Sequence, residues 1–396
     1  MRVLSVTAQK PCSTGSGVYL TEVVRSLAKM GVSQAVVAGV TREDRVDMPE
    51  GVTVYPVYFS SEKLPYPVVG MSDEMPYTST RYRDMTEEMA GQFKAAFLEV
   101  LDEAIEKENP DIILCHHLYY LTALIRAHYP AKKVYGFCHN TDLRQMESIS
   151  FEKNFIRQEI PKLDRIFALQ EAQKEKIKKI YPVSEKQMTV IGTGYNSEVF
   201  KKTGIKLSRK DGKIRMIFAG KITQKKGVKS LLRALNLLDY EKEKIQLILA
   251  GGAGNLVEYE EIKELADGCR YPVVFAGCVT QSRLAELYND CDIFVLPSMY
   301  EGLPLTVIES LACGDRVVMT KLEGIAEWLA DMVPDADIRY VLPPGMKGTD
   351  EPLEEELPAF ESRLAEALRE AIEEKDTKEC DVSRISWQKI AREVIR

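Results

Sequence analysis

A strand, a glycine-containing turn and an amphipathic helix follow one another repeatedly along this chain of 396 residues, and this alternation constrains the fold more than any other feature. The first repeat combines the apolar run RVLSVTA, the turn STGSG and the helical pattern VYLTEVVRSLAKMG, which ends at Gly31. Glycine is common just after the last residue of a helix. Strands that alternate with helices predict parallel sheets covered on both faces. We therefore predict an α/β fold with doubly wound, Rossmann-like domains.

The alternation falls into two series. The first continues through DIILCHH, KKVYGFCH, RIFALQ and MTVIGTG, and the second begins near residue 213 with KIRMIFAG, IQLILAG, YPVVFAG and DIFVLPS. Between them lies the polar stretch 201–213, which is typical of a linker. The sequence thus predicts an N-terminal domain over residues 1–200, a second domain over 201–378, and a C-terminal helix within 379–396.

Composition excludes several classes of protein. The formal charge of −7 argues against non-specific binding to nucleic acids, which requires a basic face. Apolar runs all fall short of the ~18 residues that a membrane span requires, and the basic stretch KEKIKKIYP predicts at most peripheral contact with a membrane. The eight cysteines form no C-x-x-C motif, and we interpret them as small buried residues in a reducing, cytoplasmic compartment.

The stretch YEGLPLTVIESLACGD, residues 300–315, predicts a helix that starts after a strand. Pro304 suits the first helical position, because its missing N–H group would have no partner there. The backbone N–H groups of Leu305, Thr306 and Val307 then point out of the helix N-terminus. Such a terminus favours anions, and a diphosphate fits it.

Two carboxylates flank this predicted anion site. Glu301 lies in the loop before the helix, and Glu309 lies more than one turn inside it. Carboxylates repel phosphate but accept hydrogen bonds from vicinal hydroxyl groups, which sugars and riboses provide. A loop glutamate and a helix glutamate paired with a lysine is the alternative interpretation.

Two lysines and two glycine turns also follow predicted strands. Lys221 and Lys226, in FAGKITQKKGV, lie where an open parallel sheet binds its ligands, so they face a diphosphate in this interpretation; a solvated basic turn is the alternative. Gly15 and Gly17 form one glycine turn, and residues 252 and 254 form another. Both turns permit close approach of a ligand, but neither completes the G-x-G-x-x-G fingerprint of dinucleotide-binding proteins.

The four histidines lie within one short span of the first series. His139 follows the strand KKVYGFC, at the edge of the sheet where ligands bind, and we expect it to contact a ligand. For His116 and His117, ligand contact and a structural role both stay open, whereas His128 fits a helix surface. Their spacing matches no metal site, so we predict no metal.

Together these motifs resemble a known family. The glycine loop after the first strand is followed in order by HNTDLRQ, GTGYNSEVF, GKITQKKG, LAGGAG and PSMYEGLPLTVIESLACG. This order, over essentially the whole chain, resembles the retaining GT-B glycosyltransferases of family 4, and the most specific element is the E-x7-E pair. The resemblance implies two Rossmann-like domains that face each other across a cleft.

The resemblance also implies roles for the candidate residues. Catalysis would depend on Glu301 at the donor sugar's hydroxyl groups, on Lys221 and Lys226 at the departing diphosphate, and on His139 at the transferred sugar. Contacts to the nucleotide would come from the remaining residues: Glu309 at the ribose, the amides of Leu305 and Thr306 and the Gly15–Gly17 turn at the phosphates, and Val279 beside the base.

The resemblance implies a metal-independent transferase that uses a nucleotide-diphosphate sugar, with a UDP-sugar expected first and no other cofactor. The acceptor would be a glycan, a lipid-linked sugar or a small molecule. Segment 60–86, rich in Pro, Tyr and Ser/Thr, is either a loop on the acceptor side or a surface insertion. Lys221 stands where the family usually has arginine, which replaces a bidentate fork with a point charge.

Three alternatives to a transferase remain. An epimerase or a phosphorylase with the GT-B fold would share much of this layout. A non-catalytic subunit that binds sugar nucleotides usually lacks one of the lysine or glutamate residues, and this chain has all of them. An NAD-dependent enzyme is disfavoured because both dinucleotide fingerprints fail.

Overall fold

The computed structural model describes residues 1–11, 13–73, 75–209, 211–253, 255–348, 351–374 and 380–396. The chain divides into two compact units, one formed by Met1–Gly194 with Ser386–Arg396 and the other by Tyr195–Ile385. Cys12 and Gly254, which belong to the sequence patterns above, lie outside the described residues. So does the predicted boundary between residues 378 and 379.

The first unit contains a seven-stranded parallel sheet in the order β3-β2-β1-β6-β7-β8-β9, with β4 and β5 forming a separate parallel pair. Its strands are β1 (Arg2–Thr7), β2 (Ser33–Val40), β3 (Thr53–Tyr58), β4 (Val69–Gly70), β5 (Thr80–Arg81), β6 (Ile112–His116), β7 (Lys133–Phe137), β8 (Arg165–Ala168) and β9 (Met188–Val190).

Helices cover both faces of this sheet. They are α1 (Gly15–Lys29), α2 (Glu87–Glu108), α3 (Tyr120–His128), α4 (Thr141–Ser148), α5 (Lys153–Glu159) and α6 (Glu171–Ile180). Successive side chains of β2 point to opposite faces: Val36 belongs to one hydrophobic cluster together with Leu20 of α1, and Val37 belongs to another together with Phe93 of α2. Strands buried on both faces explain the nearly continuous apolar runs in the sequence.

Segment 60–86 packs into the first unit. It contributes β4, β5 and the 3₁₀ turn Tyr82–Asp84, and the side chain of Tyr82 is 1% exposed. The ring of Tyr82 meets the ring of Tyr119 with centroids 4.8 Å apart. Tyr82 thus anchors the segment in the core of the first unit, and an acceptor-side loop and a surface insertion both stay open as interpretations.

The second unit contains a six-stranded parallel sheet in the order β12-β11-β10-β13-β14-β15, and β16 and β17 form a separate antiparallel pair. Its strands are β10 (Ile214–Ala219), β11 (Ile245–Ala250), β12 (Val273–Gly277), β13 (Ile293–Leu296), β14 (Arg316–Thr320), β15 (Ile338–Val341), β16 (Met346–Lys347) and β17 (Glu351–Pro352). Its helices are α7 (Ile205–Ser208), α8 (Val228–Asn236), α9 (Leu256–Asp267), α10 (Gln281–Asp290), α11 (Leu305–Ala312), α12 (Ile325–Met332) and α13 (Leu357–Glu373).

The stretch 201–213 is part of the second unit, so its interpretation as a linker is wrong. It forms the short helix α7, and Lys206 Nζ lies 2.5 Å from the carboxylate of the buried Asp315. Arg209 forms a further ion pair with Asp292. These ion pairs attach the polar segment to the rest of the second unit, although its lack of an apolar pattern alone would predict a solvent-exposed linker.

The last helix, α14 (Trp387–Val394), belongs to the first unit and packs on α1. The Trp387 ring meets the Tyr19 ring edge to face, with centroids 4.8 Å apart. A Cβ atom on Gly194 would lie only 2.4 Å from the indole, so this contact requires glycine. Among the described helices, none combines the length and apolar composition that a membrane span requires.

Candidate active site

In the second unit, the segment after β10 brings a lysine and a glutamate together. Hydrogen bonds hold this segment on two sides: Ile222 N–H donates to Gly252 O at 3.0 Å, and Met299 N–H donates to Lys225 O at 3.0 Å. Lys226 Nζ thereby lies 2.6 Å from Glu301 Oε1. Residues separated by 75 positions in the sequence therefore meet at the carboxyl ends of β10 and β13.

Gly227 allows the close approach of these two segments. Its φ of +73° lies in the left-handed region, and a Cβ atom would lie 2.1 Å from the carbonyl oxygen of Pro297. An alanine at this position must therefore displace the backbone of one segment. The position needs glycine both for its backbone conformation and for the space that it leaves.

We expect Gly227→Ala to destabilise the protein more than Gly212→Ala. Gly212 has a similar φ of +65° but open space around its Cα, so alanine there adds only the left-handed strain of about 1–2 kcal/mol. The clash with Pro297 adds to that strain in Gly227→Ala alone. Thermal unfolding of both variants measures the difference, at about 2–4 °C per kcal/mol. Equal midpoints would show that the segments of Gly227 and Pro297 can move apart to admit a methyl group without loss of stability.

Helix α11 starts as predicted but with one shift. Pro304 is its N-cap, and Leu305 is the first helical residue, whereas the sequence predicted Pro304 at the first helical position. The N–H group of Val307 donates to Pro304 O at 3.2 Å, so only the amides of Leu305 and Thr306 precede the first bond of the helix. The predicted anion site thus has two of its three amides.

Glu309 lies one turn further along α11 and is 6% exposed. A carboxylate this deeply buried is costly unless polar groups surround it. Tyr288 is close by, and its pKa is raised well above the usual value, first by burial and then by the charge of Glu309. Tyr288 therefore stays a neutral phenol beside the carboxylate.

Two further predicted residues lie at the same edge of this sheet. Lys221 is partly buried and follows Gly220, the residue after β10. Val279 is partly buried and lies two residues after β12, just before the N-cap Thr280 of α10. Both positions are at the carboxyl ends of parallel strands, where such sheets bind ligands.

The glycine turn after β11 packs against protein backbone. A Cβ atom on Gly251 would lie 1.7 Å from the carbonyl oxygen of Gly220, and Gly220 N–H donates to Ala250 O at 2.9 Å. The glycine at 251 is thus required by the contact between two strand ends. Cys278, next to this turn, is exposed, which contradicts the prediction that the cysteines are buried.

In the first unit, the glycine turn before α1 serves as a helix cap. Thr14 is the N-cap, and its Oγ1 accepts a hydrogen bond from Gly17 N at 3.1 Å. The Gly17 amide therefore has an acceptor within its own helix start. Gly15 is the first residue of α1, is exposed, and has open space where a side chain would be.

Three histidines form a cluster at the carboxyl ends of β6 and β7, which we call the histidine cluster: His116, His117 and His139. His116 Nδ1 lies 3.0 Å from His139 Nε2, and their rings are stacked. His117 Nε2 lies 3.1 Å from Ser16 Oγ in the first turn of α1. His139 lies near a strand end, as predicted, and near a helix N-terminus. The structure adds that it contacts His116 and His117, whose roles the sequence left open.

Burial keeps the histidine cluster neutral. It lowers the pKa values of His116 and His117 well below the usual value, and it lowers the pKa of His139 to about 3. A neutral imidazole has one donor and one acceptor nitrogen. These side chains therefore act as directional hydrogen-bonding groups near neutral pH.

Asp142 and Tyr19 also build this region and were not predicted. The Asp142 carboxylate is fully buried and accepts hydrogen bonds from Leu118 N at 2.7 Å and His139 N at 3.3 Å, so it joins the loops after β6 and β7. Tyr19 packs edge to face on His139, with centroids 5.2 Å apart. The aspartate three residues after His139, at the start of a helix, was the available sequence signal.

Two protein-family models match the chain in succession. Residues 13–199 match the model described as Glycosyltransferase Family 4, and residues 200–356 match the one described as Glycosyl transferases group 1. The chain thus carries the two domain types of glycosyltransferases. The prediction of a glycosyltransferase is confirmed at this level.

Curated relatives agree with this assignment. An uncharacterized glycosyltransferase of Methanocaldococcus jannaschii is 29% identical over 41% of this chain and 44% of its own length, so the chain spans about half of that relative. D-inositol 3-phosphate glycosyltransferase 2 of Catenulispora acidiphila is 25% identical over 80% of this chain and 76% of its own length.

Solved structures confirm the predicted fold class. Sucrose-phosphate synthase from Thermosynechococcus elongatus superimposes with a TM-score of 0.70 at 16% identity, covering 100% of this chain and 97% of that one. Alr3699/HepE of Anabaena, solved with UDP-glucose, gives a TM-score of 0.65 at 14% identity, covering 100% and 98%. The chain has the α/β fold of the GT-B glycosyltransferases.

Proposed function

We propose that this protein transfers a hexose-type sugar from a nucleotide-diphosphate donor to a glycan, a lipid-linked sugar or a small molecule. The observation that carries the proposal is the Lys226–Glu301 pair, which lies at the strand ends just before the N-terminus of α11. One cation, one carboxylate and the first amides of a helix form a site that suits a diphosphate attached to a sugar.

Each group then has a chemical task. Lys226 and Lys221 would neutralise the diphosphate as it leaves, and the amides of Leu305 and Thr306 would bind its oxygens. Glu301 would exchange part of its ion pair with Lys226 for a hydroxyl group of the donor sugar. Glu309, buried one turn along the same helix, would bind the ribose hydroxyl groups.

We propose retention at the anomeric carbon without a metal ion. The bond from the anomeric carbon to the diphosphate breaks, the acceptor oxygen bonds to the same face, and a phosphate oxygen of the departing diphosphate takes the acceptor's proton. This route needs no protein base, and burial, which lowers the pKa of His139, disfavours the protonated form that this histidine would have to adopt as a base. A uridine donor is proposed first, because HepE, which shares the fold, was solved with UDP-glucose.

Nucleotide-dependent stabilisation tests this proposal. We test UDP, GDP, ADP and NAD, and expect one of the three nucleoside diphosphates, UDP first, to raise the thermal midpoint, because a ligand at 100 times its Kd stabilises by about 2.7 kcal/mol. Glu309→Ala should abolish the shift and Glu309→Gln should reduce it, since a ribose hydroxyl loses its carboxylate acceptor. Differential scanning of wild type and variants gives the ranking.

The control for this experiment is Glu286→Ala, which removes an exposed carboxylate paired with Arg283 on α10. It should leave the shift unchanged. A shift with NAD alone, or with no nucleotide, would contradict the proposed donor. Product analysis separates the alternatives, because an epimerase needs no acceptor and a phosphorylase needs inorganic phosphate.

A further inference from the structure

The hydrogen bond between His116 and His139 has a direction that their surroundings determine. Both residues lie at strand ends in the first unit, and the bond joins His116 Nδ1 to His139 Nε2 at 3.0 Å. The other ring nitrogen of His116, Nε2, is buried and meets no hydrogen-bonding partner within the described part of the chain. His116 as a whole is 4% exposed.

Only one of the two possible directions avoids a buried N–H group without an acceptor. If His139 donated the bond, neutral His116 would carry its proton on Nε2, where no acceptor lies. Orphaned buried N–H groups are rarer than orphaned acceptors, and an unmade buried bond costs about 1–3 kcal/mol. His116 Nδ1–H therefore donates, and His139 Nε2 accepts.

The neighbouring histidine follows the same rule. His117 Nδ1 is buried and meets no partner among the described residues, whereas His117 Nε2 lies 3.1 Å from Ser16 Oγ. His117 Nε2–H thus donates to Ser16, whose own hydroxyl donates to Gln9 Oε1 at 3.3 Å. In this arrangement the N–H groups of both neutral histidines, His116 and His117, have acceptors, and only acceptor nitrogens are left without a partner among the described residues.

We infer that His116 is a positioning residue that holds His139 in the tautomer with its proton on Nδ1. Because Nε2 of His139 faces His116, Nδ1 is the ring nitrogen left for a ligand. His139 then presents an N–H donor to an oxygen of the transferred sugar. This step rests on the proposed function, whereas the tautomer itself does not.

The tautomer with its proton on Nδ1 gives His139 a defined chemical role. An N–H donor can stabilise negative charge or orient a hydroxyl oxygen, but it cannot remove a proton from the acceptor. This agrees with the route in which the departing phosphate takes that proton. A histidine in the opposite tautomer would present a lone pair instead, and could accept a hydrogen bond from a hydroxyl group but not donate one.

Nitrogen NMR of the protein labelled with ¹⁵N-histidine tests the tautomer without any substrate. The chain has only four histidines, so single His→Gln variants assign every imidazole signal. At about pH 7 we expect His139 to show a protonated Nδ1 and a bare Nε2. A protonated Nε2 on His139 in the wild-type protein would overturn the inference.

Two substitutions of His116 provide a matched pair. The amide nitrogen of asparagine reaches the position of Nδ1 and can still donate to His139, whereas that of glutamine reaches the position of Nε2. We expect His116→Asn to keep the His139 tautomer and His116→Gln to lose it. An unchanged His139 tautomer in a folded His116→Gln protein would contradict a positioning role.

Turnover of His116→Asn and His116→Gln shows whether His116 orients His139 in the reaction or only stabilises the fold. We expect His116→Asn to retain at least about tenfold more turnover than His116→Gln, with similar KM for the donor, since orienting groups commonly contribute 10- to 100-fold. Equal losses in two equally folded variants would overturn the inference. If no sugar nucleotide binds or reacts, the proposed function fails, and the NMR result still decides the tautomer.

Discussion

Replacing Lys226 with alanine should reduce turnover at least about 100-fold, because one charged donor at a developing anion typically contributes that much. Its Nζ lies 2.6 Å from Glu301 Oε1 and 3.5 Å from Tyr300 O, at the strand ends that precede α11. Without the lysine, the diphosphate loses a cation while the carboxylate of Glu301 remains beside it. The loss should appear mainly in turnover, since the charge on the leaving group develops in the transition state.

Turnover can be measured as release of nucleoside diphosphate from UDP-glucose, or from the donor that the stabilisation assay selects. Lys226→Met keeps the length of the side chain and should be as impaired as Lys226→Ala. Lys229→Ala is the matched control, because Lys229 lies on α8 and pairs with the exposed Glu261 at 2.6 Å. Near-normal turnover in a folded Lys226→Ala protein would exclude a phosphate role for this lysine.

The sequence predicted the strands and their glycine turns closely, for a physical reason. A strand buried on both faces must be apolar throughout, and in an open parallel sheet the polar residues begin where it ends. SQAVVAGV is strand β2 (Ser33–Val40) as predicted, and KIRMIFAG contains β10 (Ile214–Ala219). The same rule placed His139 and Lys226 correctly at strand ends.

The structure adds bonding partners that the sequence did not show. Lys226 and Glu301 were assigned to different parts of a ligand, and the structure adds that their side chains, far apart in sequence, form an ion pair. The amide of Val307 was expected to face phosphate, but it already donates to Pro304 O within its own helix start. Single-sequence patterns show which groups lie at an edge but not which groups they bond.

Polarity alone also misplaced the stretch 201–213. Hydrophobic patterning assigns such a segment to a linker, because it has no apolar face to bury. Lys206 and Arg209 instead anchor it through ion pairs with Asp315 and Asp292. These partners lie more than 80 positions away in the sequence, so no local sequence pattern predicts the ion pairs.

Replacing His117 with glutamine should make the protein more stable than wild type in mild acid. Burial, with the nearby His139 and His116, lowers the pKa of His117 well below its usual value in the folded protein, whereas the unfolded imidazole titrates near 6.5. Below that pH the unfolded chain binds a proton that the folded chain does not. The stability due to neutral His117 is therefore complete above about pH 6.5 and is lost as the pH falls, by about 1.4 kcal/mol per unit.

Glutamine removes this loss while keeping the contact. Its amide nitrogen reaches the position of Nε2, so it can donate to Ser16 Oγ, which lies 3.1 Å from the histidine in the wild-type protein. Near pH 8 the two proteins should differ by about 1 kcal/mol or less. At about pH 5 the variant should have gained about 2 kcal/mol relative to wild type. His116 and His139 are present in both proteins, so their own titration largely cancels in the difference.

Urea unfolding at several pH values measures this difference. The chain has two tryptophans, and in a Trp328→Phe background the fluorescence of Trp387 reports on the first unit, to which the histidine cluster belongs. His128→Gln, at an exposed position on α3 beside Asp102, controls for the loss of a histidine elsewhere in this unit. A difference between wild type and His117→Gln that stays constant from about pH 8 to 5 would mean that His117 binds its proton as readily in the folded protein as in the unfolded chain, and so is charged at about pH 5. The relay from His117 through Ser16 to Gln9 would then run with a charged donor, and the neutral cluster would have to be abandoned.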